Sequence, residues 1–247
     1  MATGNPFGNK VALVTGASGG IGQAVARRLA AEGASVALAY GANAEPAQTL
    51  ADELVTQGGH AVAVGADLRH ADAAAELLAE VEPQLGSIDV LVAAAGLGRQ
   101  QTLEEVSIED FDEMLAVNLR APFVLAQKTL PGMRARGFGR ILFVSSVAAF
   151  TGGIVGPHYA ASKAGLHGLT HFLASRVAGE GVTVNAIAPA LITDTRMLPG
   201  EPDELRARVP VGRLGQPDEV ADLALAMLRN PYLTNQVVSL DGGMYPR

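Results

Sequence analysis

Seven short apolar runs, rich in β-branched residues, recur along the chain: KVALVT (10–15), SVALAY (35–40), HAVAVGA (60–66), DVLVAAA (89–95), RILFVSS (140–146), VTVNAIA (182–188) and QVVSL (236–240). Runs so evenly apolar predict strands that meet water on neither side, and a sheet covered on both faces is the parallel kind. The segments 22–33, 46–58, 72–85, 107–130 and 159–179 are amphipathic and long enough to be crossover helices. The order is β-α-β throughout. Gly33 and Gly58 stand just past two of the helix ends, Ser107 and Asp110 resemble a capping pair, and Pro131 reads as the stop of the helix before it. Between Pro189 and Pro217 the pattern breaks into crowded prolines and glycines, which predicts a substrate lid at about residues 191–210. The full 247 residues are read as one domain.

Charge and composition remove several classes of function. Lys and Arg number 18 against 25 Asp and Glu, a net charge of −7, so no broad positive field draws in nucleic acid or an anionic membrane surface. No apolar run approaches the roughly 18 residues of a membrane span, and residues 1–10 have neither a basic start nor an apolar stretch. The absence of cysteine excludes disulfides, thiolate nucleophiles and Cys-ligated zinc, and fits a reducing compartment. A cytoplasmic location is expected.

Directly after the first strand comes Thr15-Gly16-Ala17-Ser18-Gly19-Gly20-Ile21-Gly22, and a helix follows at once. In such a turn one glycine makes the bend, a second lets the backbone approach a pyrophosphate and a third lets the helix pack on the sheet; Gly16, Gly20 and Gly22 suit those roles. The helix start then offers unpaired N–H groups and a partial positive charge to phosphates. The same residues also spell the Gly-x-Ser-x-Gly of a hydrolase nucleophile elbow at Ser18, but that elbow draws an oxyanion donor from an earlier strand loop, and one short strand alone precedes Ser18. A phosphate-binding ATPase loop is excluded because no Gly-Lys-Ser/Thr follows.

Tyr159 and Lys163 stand four apart on a predicted helix and so share a face. An ammonium about 4 Å from a phenol, at an effective dielectric near 20, contributes roughly 4 kcal/mol, on the order of three pH units, which predicts a Tyr159 acidified towards 7. A tyrosine of that acidity can exchange a proton with a carbonyl or alcohol oxygen. His167 and His171 are also four apart, but no third ligand accompanies them and a buried or interface role is expected. His158 is expected to edge the substrate pocket without acting in catalysis. Ser145, pointing away from Ser146 by strand alternation, is read as structural.

Thr15-Gly16-x-x-x-Gly20-x-Gly22, Asn118, Ser146 and Tyr159-x-x-x-Lys163 together resemble the short-chain dehydrogenase/reductase family, and the likeness spans residues 10–244. Within it the chain is most similar to 3-oxoacyl-acyl-carrier-protein reductases and related ketoreductases, through Gly139-Arg140-Ile141, Tyr159-Ala160-Ala161-Ser162-Lys163-Ala164-Gly165 and Asp241-Gly242-Gly243-Met244. The resemblance implies an α/β, Rossmann-type, doubly wound three-layer sandwich with a seven-stranded parallel sheet. It also implies an enzyme moving a hydride between a nicotinamide cofactor and a ketone or secondary alcohol. On that likeness Tyr159 is the proton donor, Ser146 holds the substrate oxygen, Lys163 holds the nicotinamide ribose, and Asn118 anchors a water beside Lys163.

The same likeness assigns cofactor contacts to Gly16, Ser18, Gly19, Gly20, Ile21, Gly22, Tyr40, Asp67, Leu68, Ala94, Gly96, Pro189 and Ile192, besides Tyr159 and Lys163. Thr193 and Thr195 both flank the remaining position, and Thr195 is preferred. The family's Asn-Asn-Ala-Gly is here Ala93-Ala94-Ala95-Gly96, so its side-chain bracing of the sheet is lost. No acid ends strand two, where Tyr40-Gly41-Ala42-Asn43 stands, which favours NADP(H) over NAD(H); the arginine that many NADP-using relatives place at position 19 or 41 is missing as well. The positions that dock an acyl carrier protein fall on Gly137 and Glu180, although Arg134, Arg136 and Arg140 lie nearby, so carrier docking is doubtful. An acyl thioester, a small free ketone, a diketone or a cyclic alcohol stay open as substrates, and a redox sensor without turnover is the alternative. By resemblance the segments 107–130 and 159–179 pair across an interface, giving a homotetramer.

Overall fold

The computed structural model describes residues 5–195, 198 and 202–245. Residues 196, 197 and 199–201 of the expected lid lie outside the described part. The strands are β1 (Val11–Thr15), β2 (Ser35–Tyr40), β3 (Ala61–Gly65), β4 (Val90–Ala93), β5 (Gly139–Val144), β6 (Val182–Pro189) and β7 (Val237–Leu240), paired in the order β3-β2-β1-β4-β5-β6-β7. Every pairing is parallel. This is the parallel sheet expected from the seven apolar runs, in the doubly wound Rossmann-type order that the family resemblance implies.

Successive strand residues feed opposite faces. Ala12, Val14, Val36, Leu38, Val90 and Val92 pack with the helices α1 (Gly20–Ala31), α2 (Glu45–Thr56) and, on the far side of the chain, residues 217–229. Leu13, Ala37, Leu91, Ile141 and Phe143 pack with α3 (Ala73–Leu85) and the helical residues 121–135 and 157–177. Such two-sided burial is what the near-continuous apolar runs require. Because β1 lies between β2 and β4, the chain order reverses there, and the carboxyl ends of β1 and β4 flank the crevice where such sheets bind ligands.

The expected single helix over residues 107–130 is in fact three pieces: α4 (Ile108–Leu115), a π-helical turn (Ala116–Arg120) and α5 (Ala121–Ala135). Ser107 and Asp110 do form a capping box at its start. The interruption has a local cause: Pro122, four residues after Asn118, has no N–H to give the Asn118 carbonyl, and the Ala121 N–H reaches back five residues to Ala116. Pro131 does not stop the helix. It sits on the exposed side of α5, where water can meet the carbonyl that its missing N–H leaves free, and the helix runs on to Ala135. The remaining helices are α6 (Ala148–Thr151), α7 (Pro157–Val177), α8 (Pro202–Arg206) and α9 (Pro217–Arg229). Among the described residues no helix is long and apolar enough to cross a membrane.

Candidate active site

The glycine turn after β1 is closely packed. Gly16 has φ +70°, and a Cβ there would stand 2.8 Å from the Ala94 carbonyl oxygen and from the Ala95 backbone. A Cβ on Gly20 would meet the Asp194 carbonyl oxygen at 2.6 Å, and one on Gly22 the Gly16 oxygen at 2.3 Å. Three backbone segments therefore converge where side chains are absent. The start of α1 carries no acidic residue in its first turn and no side-chain cap, so its N–H groups remain available to an anion. Gly16, Ser18, Tyr40, Asp67, Leu68 and Gly96 line the cleft beside it. Gly19 and Gly20 line its flank with Ser18. Gly22 lines no wall among these clefts; it acts from behind, by letting α1 lie against the turn.

Two charged residues of this cleft, Arg69 and Glu113, have no counterpart among the site residues expected from the sequence. Arg69 bonds the Asp67 carboxylate through Nε at 2.8 Å and Nη2 at 2.6 Å, and holds that carboxyl down at about 2. The spacing of two residues from Asp67 was the available signal. The loop after β4, deprived of asparagines, is pinned by other groups: the Ala95 N–H donates to Thr15 Oγ1 at 3.0 Å, and Asn118 bonds both backbone groups of Leu97.

A second cleft is lined by Ala94, the chain neighbour of Ala95 in the first, and encloses about 970 Å³ counting its open mouth. Ser146, Tyr159, Lys163, Pro189, Ile192 and Thr195 all line it, together with Ile21. The Ser146 hydroxyl lies beside the Tyr159 phenol in this cleft and accepts from the Ala148 N–H at 3.2 Å. Lys163 is almost wholly buried, its Nζ donating to the Val144 carbonyl at 2.8 Å and standing 5.8 Å from the centre of the Tyr159 ring. Thr195 faces this cleft and donates to the Ile192 carbonyl, whereas Thr193 turns to Gln216 at 3.0 Å. Ser145 points the other way, to the Lys163 carbonyl at 3.0 Å and His167 Nε2 at 2.8 Å.

The electrostatics differ from the spacing argument. Burial pushes the Tyr159 phenol up, with the neighbouring Ser146 hydroxyl pulling it partly back, and burial lowers the Lys163 ammonium to about 8. Tyr159 is therefore not acidified towards 7 in this geometry. The ammonium directs its bond to a carbonyl rather than to the phenol, and removing either group from water disfavours its charged form.

Asn118 lines neither cleft. It is fully buried, accepting from the Leu97 N–H at 2.7 Å and donating to the Leu97 carbonyl at 3.0 Å and to Ser162 Oγ at 3.1 Å. Ser162 in turn donates to the Tyr159 carbonyl at 2.7 Å, so the side chain of Asn118 ties the π-helical turn to the turn of α7 that carries Tyr159. His158 is likewise buried behind the pocket rather than at its edge; both ring nitrogens lack a protein partner, and burial lowers its basicity. His167 turns to Ser145 and His171 Nδ1 to Asn235 at 2.6 Å, so the two rings of this helical pair point at different partners.

Comparison with known proteins agrees with this geometry. Residues 10–205 match the family model described as short chain dehydrogenase. The chain is 37% identical over 242 residues to a 3-oxoacyl-acyl-carrier-protein reductase of Staphylococcus aureus, covering 96% of this chain and 98% of the relative. It is 38% identical over 240 residues to the corresponding reductase of Synechocystis, covering 95% and 96%. A short-chain dehydrogenase of Burkholderia cenocepacia solved in complex with NADP superposes with a TM-score of 0.89 at 36% identity, covering 97% of this chain and 99% of that one. A short-chain dehydrogenase/reductase of Serratia marcescens gives the same four values.

Proposed function

The chain belongs to the short-chain dehydrogenase family, NAD(P)-dependent oxidoreductases of C=O and CH–OH groups, and from that premise we propose that it reduces a ketone of the 3-oxoacyl thioester type. The observation that carries the reading is the gathering of Ser146, Tyr159 and buried Lys163 on one cleft that Ile21 of the glycine turn also lines. The residues fit a dinucleotide, because Gly16, Gly20 and Gly22 leave open what a Cβ would fill and α1 aims free N–H groups at the space. When bound, the nicotinamide supplies the hydride.

The chain's own residues supply the proton and the placement. Ser146 donates to the substrate oxygen and stabilises the negative charge that develops there. Tyr159 gives its phenolic proton to that oxygen. Burial assists this direction, since a phenol pushed up stays protonated at neutral pH and remains a donor. Lys163, positively charged below about 8, stabilises the phenolate left behind and offers donors to the ribose hydroxyls. In the oxidation direction Tyr159 must begin as phenolate, so that reaction is favoured by alkaline pH.

NADP(H) is proposed over NAD(H), because Tyr40 ends β2 without an acid and Gly41 has nothing within 4 Å to obstruct a 2′-phosphate. A carrier protein is not proposed as the substrate's bearer: Arg134 is engaged by Glu180, Arg136 by Asp89, and Arg140 is buried on carbonyls, so none of these arginines is free to dock an acidic partner. A homotetramer is proposed on the exposed Phe123 and Phe172, which lie on α5 and α7 beside an open apolar groove lined by Leu115, Leu119 and Leu169. With no cysteine in the chain, the proposed location is the cytoplasm. The test is turnover of a ketone panel with NADPH and NADH. Tyr159→Phe is expected to lose roughly 10²- to 10⁴-fold in kcat while keeping cofactor affinity. Equal turnover in wild type and variant sinks the tyrosine mechanism, and a strong NADH preference sinks the cofactor assignment.

A further inference from the structure

Arg208 lines the same cleft as Ser146, Tyr159 and Lys163. Every other arginine among the described residues bonds a carboxylate or a carbonyl. Arg208 alone has no such partner for its guanidinium among those residues. Its backbone is nevertheless held in place: the Arg208 main-chain N–H donates to the Leu205 carbonyl at 3.1 Å, and the flanking Leu205 and Val209 are buried in a cluster with Leu191, Leu198 and Met244. The cleft it faces is walled by Val155, Leu191, Leu198 and Met244, and no carboxylate side chain lines it among the described residues. In a chain with a net charge of −7, the described titratable side chains of this cleft are the phenols of Tyr159 and Tyr245 and two cations, Lys163 and Arg208. Lys163 is committed deep inside, on the Val144 carbonyl.

From this we infer that the substrate carries an anionic group at some distance from its carbonyl, and that Arg208 is the specificity residue that recognises it. The inference rests on the ketone-reducing reading of the site. Arg208 is exposed at the mouth of this cleft, and a guanidinium presents five N–H donors in a planar fork that suits a carboxylate or phosphate. A cleft of one sign within an oppositely charged surface also concentrates the matching ligand. The anion could be the carboxylate of a free oxo acid or a phosphate of a nucleotide-bearing thioester; both use the same fork.

Two matched pairs of substrates separate these sources: a short oxo acid against its methyl ester, and a 3-oxoacyl coenzyme A thioester against the neutral N-acetylcysteamine thioester. Each is assayed with wild type, Arg208→Gln and Arg208→Lys. Wild type is expected to favour the anionic member of one pair by about tenfold or more in kcat/KM. Arg208→Gln should abolish that preference, chiefly through KM, while leaving the neutral member within about twofold; Arg208→Lys should retain part of it, and 0.5 M salt should shrink it in wild type. The pair that responds names the source.

No anion preference in wild type, a preference untouched by Arg208→Gln, or an equal loss on neutral and anionic members overturns the inference. In parallel, calorimetry of the cofactor-saturated protein with a 3-hydroxy acid and with a 3-hydroxyacyl coenzyme A must give weaker binding of at least one of them in Arg208→Gln; equal affinity of both proteins for each ligand likewise overturns it. Neutral-ketone turnover that depends on Tyr159 reports on the site itself, so the failure of Arg208 and the failure of the ketone-reducing reading are distinct results.

Discussion

The two halves of the cleft are built on opposite principles. At the turn between β1 and α1, binding capacity comes from backbone and from missing side chains: Gly22 is needed because a Cβ would stand 2.3 Å from the Gly16 oxygen. At the ends of β5 and α7, capacity comes from side chains that the fold has taken out of water, with Tyr159 and Lys163 both buried. The first kind of site is a matter of space and can be read from glycine spacing. The second is a matter of desolvation, which no spacing records. Substitutions should accordingly fail in different ways on the two sides, one by collision and the other by altered charge.

The largest effect is expected at the turn. Gly22→Ala must displace either α1 or the Gly16 carbonyl, a strain on the order of 3 kcal/mol or more, and should weaken cofactor binding at least roughly a hundredfold. Gly19, three residues earlier, has an extended backbone at φ −103°, and a Cβ there would reach nothing nearer than the Gly16 oxygen at 3.5 Å. Gly19→Ala should therefore change affinity less than about threefold. Fluorescence titration with NADPH and a thermal melt of each variant measure both terms. Near-equal binding by the two variants breaks the claim that close backbone approach governs this half.

On the side-chain half, Lys163→Met is expected to separate stability from activity. Burial lowers Lys163 from 10.5 to about 8, so between those values the unfolded chain holds a proton that the folded chain has released. By linkage, stability then rises with pH through the window from about 8 to 10.5, while below 8 the full penalty of the buried charge applies. That penalty is about 3 kcal/mol, offset by about 1 kcal/mol for the bond to the Val144 carbonyl. Lys163→Met should be the more stable protein at pH 7 by roughly 1–2 kcal/mol, should lose the rise above pH 8, and should lose most of its turnover. Urea midpoints at pH 7 and 9.5 test this. A variant less stable than wild type at pH 7 shows that the ammonium is better solvated than its burial implies.

This contrast also explains what was legible. The seven strands follow from apolar runs, because burial on both faces leaves a compositional trace; the runs 10–15 and 236–240 differ from β1 and β7 by one residue. The glycine turn follows for the same reason, Gly16, Gly20 and Gly22 each marking a close contact. The interruption at Ala116–Arg120 was hidden because apolar periodicity tracks which face is buried and is insensitive to one widened turn, although Pro122 four residues after Asn118 was its signature. The direction of the Tyr159 shift was hidden because four-residue spacing supplies proximity but neither the depth of burial nor the partner the ammonium chooses. Arg208 belongs to neither category: it lies in a stretch without periodicity, and folding alone brings it to the cleft of Tyr159.

The smallest predicted effect probes the boundary between a catalytic wall and the scaffold behind it, one residue apart on the chain. Just past the end of β5, Ser146 lines the cleft with Tyr159 while Ser145 donates to the Lys163 carbonyl and meets His167. Ser145→Ala removes a buried donor from α7 and should lower stability by about 1 kcal/mol, with kcat held within about threefold. Ser146→Ala should instead lower kcat by roughly 10²-fold, since its hydroxyl meets charge that grows only as the hydride arrives. A denaturant midpoint and single-turnover kinetics on both variants distinguish them. If Ser145→Ala depresses kcat as far as Ser146→Ala does, the register of Lys163 depends on the bond from Ser145 to its carbonyl, and scaffold and site are then one mechanical unit on this half of the cleft.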